Sequence, residues 1–506
     1  MESNQRKIGV ILSYVSIGIN TIIQLLYTPF LIRMLGQNEY GLYSLIYSII
    51  GYLTVLDLGF GNAIIVYTAK YRANKEYDKE KKLHGMFFII FCIIGIIAAL
   101  GGLLLYYNID NLFSDTMTAL EISKAKIMML ILSFNLLITF VFNIFNSIIS
   151  AYENFVFQKI VVILNNLLKP IIMIPLLFLG YKSIALCIVV TLVNLFVMIS
   201  NFIYCKKKLN IAIKFIGFDK ALFKTILGYS IWIFLGIIVD KINWSVDQFV
   251  LGAVSGTVAV SIYSVASTLN QVFISLSTAI SGVFLPKISK LVAKNKNTSL
   301  LTEEFIKIGR IQYYIIFLMC SGFVLFGKTF INLWAGQGFE ETYYVALLLI
   351  IPICIPLIQN LGISIMQAKN MHKFRSVLLV GIAIFNIIIS IPLAKLYGAI
   401  GTAIGTAISL IIGNIIVLNI YYQIRVKIDV ITFWKNIIKM TIPFIMPLLI
   451  TILLIQLINI NDIISLLLFG TIYVILYCIT SYFIVTNKYE KKLINNILKK
   501  LFKRMG

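Results

Sequence analysis

Residues 84–107 read HGMFFIIFCIIGIIAALGGLLLYY, a run without a single Asp, Glu, Lys or Arg. A helix needs about 20 such residues to cross the hydrocarbon core of a bilayer. Comparable runs recur along the whole chain, which is 60% hydrophobic and only 12% charged. A soluble domain is typically about 45–50% apolar and about 25% charged. The sequence therefore predicts an all-α polytopic membrane protein, with lipid rather than water around most of the chain.

The apolar runs predict about fourteen transmembrane helices. We place them at residues 8–32, 41–68, 84–107, 123–150, 157–179, 181–205, 222–251, 255–283, 303–330, 340–367, 374–394, 396–423, 435–458 and 461–485. The loops after the second, sixth, eighth and twelfth helices are rich in Lys and Arg, whereas those after the seventh and thirteenth have none. Cytoplasmic loops carry the excess of basic residues. This alternation predicts a multi-pass protein of the cell membrane with cytoplasmic N- and C-termini.

The formal net charge is +23, from 43 Lys and Arg against 20 Asp and Glu. In a soluble protein this excess would suggest a nucleic-acid partner. Here the cations lie in short loops between apolar runs. We therefore expect no nucleic acid partner, and we interpret the basic loops as the signal that sets the orientation of the protein in the membrane. The last stretch, residues 487–506, places Leu and Ile at helical spacing between lysines, which favours an amphipathic helix on anionic membrane lipids. A disordered basic tail is the alternative.

Metal and nucleotide sites are not indicated. The six cysteines lie in or beside apolar runs without a CxxC pair, and His84 and His372 have no ligand-type neighbours, so we expect no metal and no cofactor. Residues 322–329 read GFVLFGKT and fit the pattern of a phosphate-binding loop. That loop needs a preceding strand in a soluble domain. Because this stretch is the apolar end of a predicted span, we reject a nucleotide site.

The two halves of the chain resemble each other. AYENFVF at 151–157 matches AKNMHKF at 368–374, and IIMIPL ending at Leu176 matches IIISIPL ending at Leu393, both at an offset of about 217 residues. An even number of helices per repeat preserves orientation, so the pattern predicts two parallel six-helix repeats. Chance similarity between Ile-rich helices is the alternative. The predicted organisation is an N-terminal lobe 1–208, a C-terminal lobe 209–424, two extra helices in 425–486 and the tail 487–506.

Four stretches resemble bacterial polysaccharide flippases of the multidrug/oligosaccharidyl-lipid/polysaccharide exporter superfamily. They are TPFLIRMLGQNEYGLYSLIYSI (28–49), VLDLGFGNAII (55–65), VDQFVLGAVSGTVAVSIYSVASTL (246–269) and LYGAIGTAIGTAIS (396–409). The resemblance covers essentially the whole chain, including two helices after the twelve-helix core that multidrug members usually lack.

The resemblance implies a flippase that moves undecaprenyl-pyrophosphate-linked oligosaccharide units from the inner to the outer leaflet for surface polysaccharide biosynthesis. The parallel repeats predict alternating access. We expect transport to be driven by an H⁺ or Na⁺ gradient, or by the substrate gradient, rather than by ATP, and we expect a protein that is not an enzyme. The expected partners are the lipid-linked substrate and membrane lipids, with polysaccharide polymerase and synthesis enzymes as further candidates for a monomeric chain. Three alternatives stay open: a flippase whose cargo is a peptidoglycan precursor, a multidrug or cation antiporter of the same superfamily, and a membrane polysaccharide polymerase or glycosyltransferase. The short outer loops disfavour the last.

Ionisable residues inside predicted spans are the candidate functional residues, because each is costly in lipid unless it is paired or hydrated. Cations are needed to bind a pyrophosphate, and Lys169, Lys241 and Arg33 are the candidates for substrate binding. A coupling ion needs a titratable or oxygen-rich site. The candidates for ion coupling are Asp57, Asp240, Asn243 and Asp247.

Static roles are the alternative interpretation of these residues. Asp57 could form a buried ion pair with Lys169 or Lys241 that only holds helices together. Asp247 and Arg33, predicted nearer the outer membrane surface, could instead be solvated. In the twelfth helix, Gly398, Gly401 and Gly405 are expected to permit close helix packing, with a hinge function as the alternative.

Overall fold

The computed structural model describes residues 2–215, 219–293, 298–369, 371–457, 460, 462–492 and 495. This part of the chain is built from helices, with no strand. The α-helices are α1 (Glu2–Leu35), α2 (Gln37–Leu53), α3 (Phe60–Ala73), α4 (Tyr77–Phe113), α5 (Ala119–Ala151), α6 (Phe155–Phe178), α7 (Ser183–Lys207), α8 (Lys220–Ala293), α9 (Thr298–Trp334), α10 (Glu341–Ile358), α11 (Leu361–Ala368), α12 (His372–Leu410), α13 (Leu418–Tyr421), α14 (Val430–Leu457) and α15 (Ile463–Thr480). A 3-10 turn and three π-helical segments complete the described elements: Thr54–Asp57, Ile411–Val417, Tyr422–Val426 and Ser481–Val485.

Twelve of the described helical stretches are long and apolar enough to cross a membrane. Two of them belong to unusually long helical runs: α8 has 74 residues, and Phe374–Val426 has 53. If straight, these runs would measure about 110 Å and about 80 Å, against a bilayer core of about 30 Å. Each run is broken once and so provides two crossings. The predicted total of about fourteen membrane helices in an all-α fold is therefore confirmed.

The two breaks fall at glycines. Gly256 interrupts α8 with φ 82°, and Gly398 interrupts α12 with φ 54°, a conformation that side chains with a Cβ rarely adopt. Gly398 is thus a turn, not the packing residue that the sequence suggested. The packing role holds for Gly401, where a Cβ would lie 2.0 Å from the carbonyl oxygen of Leu393. The breaks convert α8 and α12 into helical hairpins.

One compact unit consists of Met1–Thr268 and Ser376–Thr406. In it, α5 packs along α4 and α7, and α1 packs along α6. The second membrane helix is interrupted between α2 and α3 because Leu58 has φ 52° and Gly59 has φ 73°, directly after the 3-10 turn. This interruption places Asp57 at a break in the middle of the span Gln37–Ala73.

The other compact unit consists of Leu269–Arg375 and Ala407–Gly506. Its two last helices, α14 and α15, pack on α9. Aromatic rings line this contact: the Phe444 ring stacks on Tyr477 at 4.2 Å and on Phe317 at 5.5 Å. The two helices beyond the twelve-helix core are therefore integrated into the fold through aromatic packing.

The chain after α15 is fixed to α9 by a buried ion pair. Arg310 Nε donates to Glu490 Oε1 at 2.6 Å, and the Tyr314 hydroxyl donates to Glu490 Oε2 at 3.0 Å. Burial works to raise the pKa of Glu490, but the hydrogen bonds from Arg310, Asn487 and Tyr314, together with the charge of Arg310, outweigh it and hold the pKa below the usual range. Most of the predicted amphipathic tail, 487–506, lies outside the described residues, so that prediction stays open.

The rejected phosphate-loop pattern, 322–329, lies inside α9, with no strand before it in the described chain. This stretch is therefore helical throughout, without the strand and loop that a phosphate-binding loop needs. The predicted lobes, 1–208 and 209–424, are defined by repeat symmetry, whereas the compact units are defined by close packing. The lobes therefore stay a prediction.

Candidate functional site

Two helical hairpins of the first unit build a buried polar cluster. The turn at Gly256 brings Asp247 beside Tyr263, sixteen residues further along α8. The turn at Gly398 brings the two arms of α12 together, and Ser255 Oγ donates to the Ala394 carbonyl oxygen at 3.1 Å, which joins the hairpins. The cluster therefore depends on the two glycine breaks.

Asp247 is the centre of this cluster and is only 2% exposed. The Tyr263 hydroxyl and the Thr406 hydroxyl, the latter at 2.9 Å, donate to Oδ2. The Asn386 amide donates to Oδ1 at 3.2 Å. The alternative that Asp247 is solvated near the outer membrane surface is therefore wrong, because the hairpin packing encloses it.

A second layer of oxygens surrounds these partners. Ser390 Oγ donates to Asn386 Oδ1 at 2.7 Å, and Thr406 Oγ1 lies 3.4 Å from the same oxygen. Thr402 and Ser390 are fully buried. The cluster thus presents one carboxylate with hydroxyl and amide oxygens in a space that excludes bulk water.

Within the described residues, Asp247 has no Lys, Arg or His partner among the ion pairs. A buried charged carboxylate without a counter-charge costs several kcal/mol. A proton or a bound cation removes that cost. Hard monovalent and divalent cations prefer oxygen ligands of this kind. No group of three or more His, Cys, Asp or Glu residues suited to a metal ion occurs in the searched part of the chain. The chemistry of the cluster therefore fits H⁺ or Na⁺.

Asp57 lies elsewhere in the same unit and has different partners. The Asn143 amide of α5 donates to Oδ1 at 2.9 Å, and the backbone N–H groups of Gly59 and Gly61 also donate to the carboxylate. Asp57 is half-buried. Among the described ion pairs none includes Asp57, so the proposed static pairing with Lys169 or Lys241 is not formed.

Lys169 lies in α6 immediately before Pro170, and Lys241 lies in the first arm of α8. Both are half-buried, and neither takes part in an ion pair or side-chain hydrogen bond with another described residue. The Lys241 ammonium lies 3.5 Å from where a Cβ at Gly51 would be, close to the middle of a membrane span. Two desolvated cations without counter-charges are suited to an anionic ligand.

Three predicted site residues are less well placed. Arg33 lies exposed in the last turn of α1. The side chains of Asp240 and Asn243 lie outside the part that the structure describes. The grouping of Asp240 and Asn243 with Asp247 stays a prediction.

Sequence reasoning did not identify Tyr263, Asn386 or Thr406 as partners of Asp247. The sequence did contain a signal. Polar residues recur four apart in otherwise apolar helices, at Asn386 and Ser390 and again at Thr402 and Thr406. Spacing alone could not show that these helices converge on Asp247. That information comes from the two hairpins.

A family model described as polysaccharide biosynthesis protein matches residues 7–292, more than half of the chain. A relative from Shigella flexneri named "Putative O-antigen transporter" is 23% identical over 400 residues, covering 76% of this chain and 90% of the relative. The family model covers most of the first unit.

Solved structures show the same fold. A structure of the lipid II flippase MurJ, in an inward closed conformation, superposes with a TM-score of 0.73 at 20% identity, covering 96% of this chain and 99% of that one. An inward-facing multidrug resistance MATE family transporter of the MOP superfamily gives a TM-score of 0.63 at 14% identity, covering 79% and 93%. The family match and the transporter relative favour a transport protein over an enzyme. The chain therefore belongs to the polysaccharide biosynthesis protein family, and it is a multi-pass membrane protein with the fold of the MurJ and MATE structures.

Proposed function

We propose that this protein is a flippase that moves an undecaprenyl-pyrophosphate-linked oligosaccharide from the inner to the outer leaflet by alternating access, coupled to H⁺ or Na⁺. The family match and the O-antigen transporter relative support a role in surface polysaccharide biosynthesis. The Lys- and Arg-rich loops support a topology with both termini in the cytoplasm.

The extent of the structural matches favours a lipid-linked substrate over a drug. The MurJ chain is matched over 99% of its length and leaves only a small part of this chain uncovered. The MATE chain is matched over 93% of its length yet covers only 79% of this chain. A fold of flippase length, with α14 and α15 packed on α9, is what the flippase proposal requires.

The buried Asp247 cluster is the single observation that carries ion coupling. Its carboxylate is 2% exposed, has no cationic partner among the described residues and is surrounded by hydroxyl and amide groups. Hydroxyls can rotate to donate to an ionised carboxylate or to turn a lone pair toward a cation. The same site can therefore exist in an occupied and an empty state, as a coupling site must.

Lys169 and Lys241 are the proposed ligands of the pyrophosphate, with Arg33 at the end of α1 as a third candidate. An ammonium that is not engaged by a carboxylate can form charge-assisted hydrogen bonds to phosphate oxygens. Because both lysines are half-buried, part of the loss of their hydration is already included in the folded state. The lipid tail would remain in contact with membrane lipids.

The direct test is translocation in proteoliposomes that contain a fluorescent undecaprenyl-pyrophosphate oligosaccharide. Appearance of the probe in the opposite leaflet would be followed with a Na⁺ gradient, with a pH gradient and with neither. Protein-dependent movement that one gradient accelerates supports the proposal and identifies the ion.

Two outcomes would contradict it. If the labelled lipid does not move but an organic cation is exported, the protein is a drug antiporter. If the lipid moves at the same rate under every gradient, the flippase proposal survives but ion coupling through Asp247 fails.

A further inference from the structure

A cavity of about 300 Å³ lies at the ends of α4, α5 and α7, on the side that we propose to be cytoplasmic. It is large enough for about ten water molecules, or for one small organic ligand. The lining residues are Tyr77, Glu80, Lys81, His84, Tyr152, Asn210, Ile211 and Ala212. None of them belongs to the proposed ion-coupling or pyrophosphate-binding residues, so the cavity is a separate feature of the fold.

Buried polar groups form one side of this cavity. Glu80 is 4% exposed and accepts a hydrogen bond from the Tyr152 hydroxyl at 2.7 Å, while the Arg72 guanidinium lies 3.3 Å from the centre of the Tyr152 ring. His84 is 1% exposed, and its Nε2 lies 3.1 Å from Thr68 Oγ1. The Nδ1 atom of His84 has no hydrogen-bond partner among the described atoms. A buried polar atom left without a partner is costly, so this nitrogen favours the entry of a polar group.

The opposite side is a strap formed by residues 209–215. The Lys214 backbone N–H donates to the Lys81 carbonyl oxygen at 3.1 Å, and the Lys214 ammonium pairs with Asp78. The strap lies so close to α4 that a Cβ at Gly85 would be 1.9 Å from the Lys214 carbonyl oxygen. The wall that carries Asn210 is therefore held in place and the cavity is preformed.

The charges around the cavity restrict its ligand. An anion would meet the Glu80 carboxylate, whereas an organic cation would meet Lys81 and Arg72. A metal ion would have only Glu80 and His84 as candidate ligands, and no group of three such residues was found in the described chain. A hydroxyl group, in contrast, both donates and accepts, so it can satisfy a carboxylate, an imidazole nitrogen, an ammonium and an amide alike.

Two aromatic rings also line the cavity. Tyr77 and Tyr152 give the cavity an apolar surface beside its hydrogen-bonding groups. Small-molecule sites combine such surfaces with a few placed polar groups. We propose that this cavity binds one small, neutral, polyhydroxylated molecule, either a sugar ring or a polyol. The ligand could be a free sugar or a sugar unit of a lipid-linked glycan, since both present the same hydroxyl groups.

The chain offers a direct probe, because it has only two histidines, His84 and His372. Full-length protein labelled with ¹⁵N-histidine in lipid nanodiscs gives two imidazole spin systems, which a His372→Gln variant assigns. We expect glucose to shift the His84 resonances in a saturable manner and inorganic phosphate to leave them unchanged. Glu80→Gln should weaken glucose binding about tenfold, the effect of weakening one hydrogen bond to a charged group.

Glu76→Gln is the matched control, because Glu76 precedes α4 by one residue, pairs with Lys79 and does not line the cavity. It should bind glucose like the wild type. No shift of His84 with glucose, with glycerol or with a lipid-linked oligosaccharide, or a shift with phosphate that Glu80→Gln strengthens, would overturn the proposal. Repeating the titration with a lipid-linked oligosaccharide distinguishes the sources: a response to free glucose assigns a soluble sugar, and a response to the lipid-linked form alone assigns the glycan. Because the readout is binding, failure of the flippase proposal leaves this result interpretable.

Discussion

Asp57 and Asp247 are both carboxylates inside membrane spans, yet their surroundings differ. Asp57 is half-buried at a helix break and accepts hydrogen bonds from N–H groups of Asn143, Gly59 and Gly61. Asp247 is 2% exposed and accepts from two hydroxyls and one amide. Two of the three donors to Asp57 are backbone N–H groups, which cannot act as acceptors. The surroundings of Asp247 contain hydroxyl groups that can present either a proton or a lone pair.

This difference separates a structural carboxylate from a candidate coupling site. Fixed N–H donors stabilise a permanently ionised carboxylate, as at a helix N-terminus. Reversible hydroxyls allow a carboxylate to exchange its proton or a cation without leaving unpaired groups. Sequence reasoning placed Asp57 and Asp247 in the same class. On the basis of this difference we propose Asp247 as the coupling site, and we propose that Asp57 stabilises the break between α2 and α3.

The largest effect is expected from Asp247→Asn, which keeps the size of the side chain but removes its charge. Ion-stimulated translocation should fall by at least about tenfold, equivalent to about 1.4 kcal/mol or more of coupling. Membrane levels should stay near those of the wild type, because the amide can still accept from Thr406. Flipping assays with and without an ion gradient check this. Full gradient stimulation in the variant would remove Asp247 from the coupling site.

The next largest effect is expected from removing either lysine, in Lys169→Ala or Lys241→Ala. Because neither lysine forms an ion pair with Asp57, both ammonium groups are available to the substrate. Each should reduce translocation at limiting substrate by about tenfold, the value of one charge-assisted hydrogen bond to a phosphate. Lys→Arg at either position should retain more activity than Lys→Ala. Normal export by both alanine variants would show that these lysines do not bind substrate.

Thr406→Val removes a hydroxyl that reaches both Asp247 and Asn386 while keeping a similar shape. We expect the ion concentration for half-maximal stimulation to rise several-fold, as for the loss of one neutral hydrogen bond of about 1 kcal/mol. Thr402→Val is the matched control, since its hydroxyl donates only to the Gly398 carbonyl oxygen at 3.3 Å. Equal effects of the two variants would mean that the hydroxyls act through packing alone.

The smallest effect on coupling is expected from Asp57→Asn. The new NH₂ group would face backbone N–H donors, so the variant should lose about 1–3 kcal/mol of stability. Thermal unfolding in detergent should therefore shift to lower temperature, while the ratio of translocation rates with and without the gradient stays unchanged. If this ratio instead falls toward one, as we expect for Asp247→Asn, the proposed distinction between the two carboxylates is wrong.

The length of the apolar runs was sufficient to predict the fold class and the approximate positions of the spans, because lipid imposes one strong rule on every helix. The division of α8 and α12 was predicted within a few residues of Gly256 and Gly398 from length alone. Side-chain partners could not be predicted in the same way. Asp247 meets Asn386 only because two distant hairpins pack together, and apolar helices carry little sequence information about which faces touch. The expected ion pair between Asp57 and a lysine was wrong for the same reason, since the sequence does not show which helix faces meet.

Cation binding to purified protein tests the central claim most directly. Isothermal titration of wild-type protein and the Asp247→Asn variant with Na⁺ at two pH values measures whether the cluster holds the ion and whether a proton competes. We predict saturable Na⁺ binding, or proton release coupled to substrate, in the wild type and neither in the variant. Identical cation and proton binding by both proteins would contradict the assignment of the coupling site to Asp247.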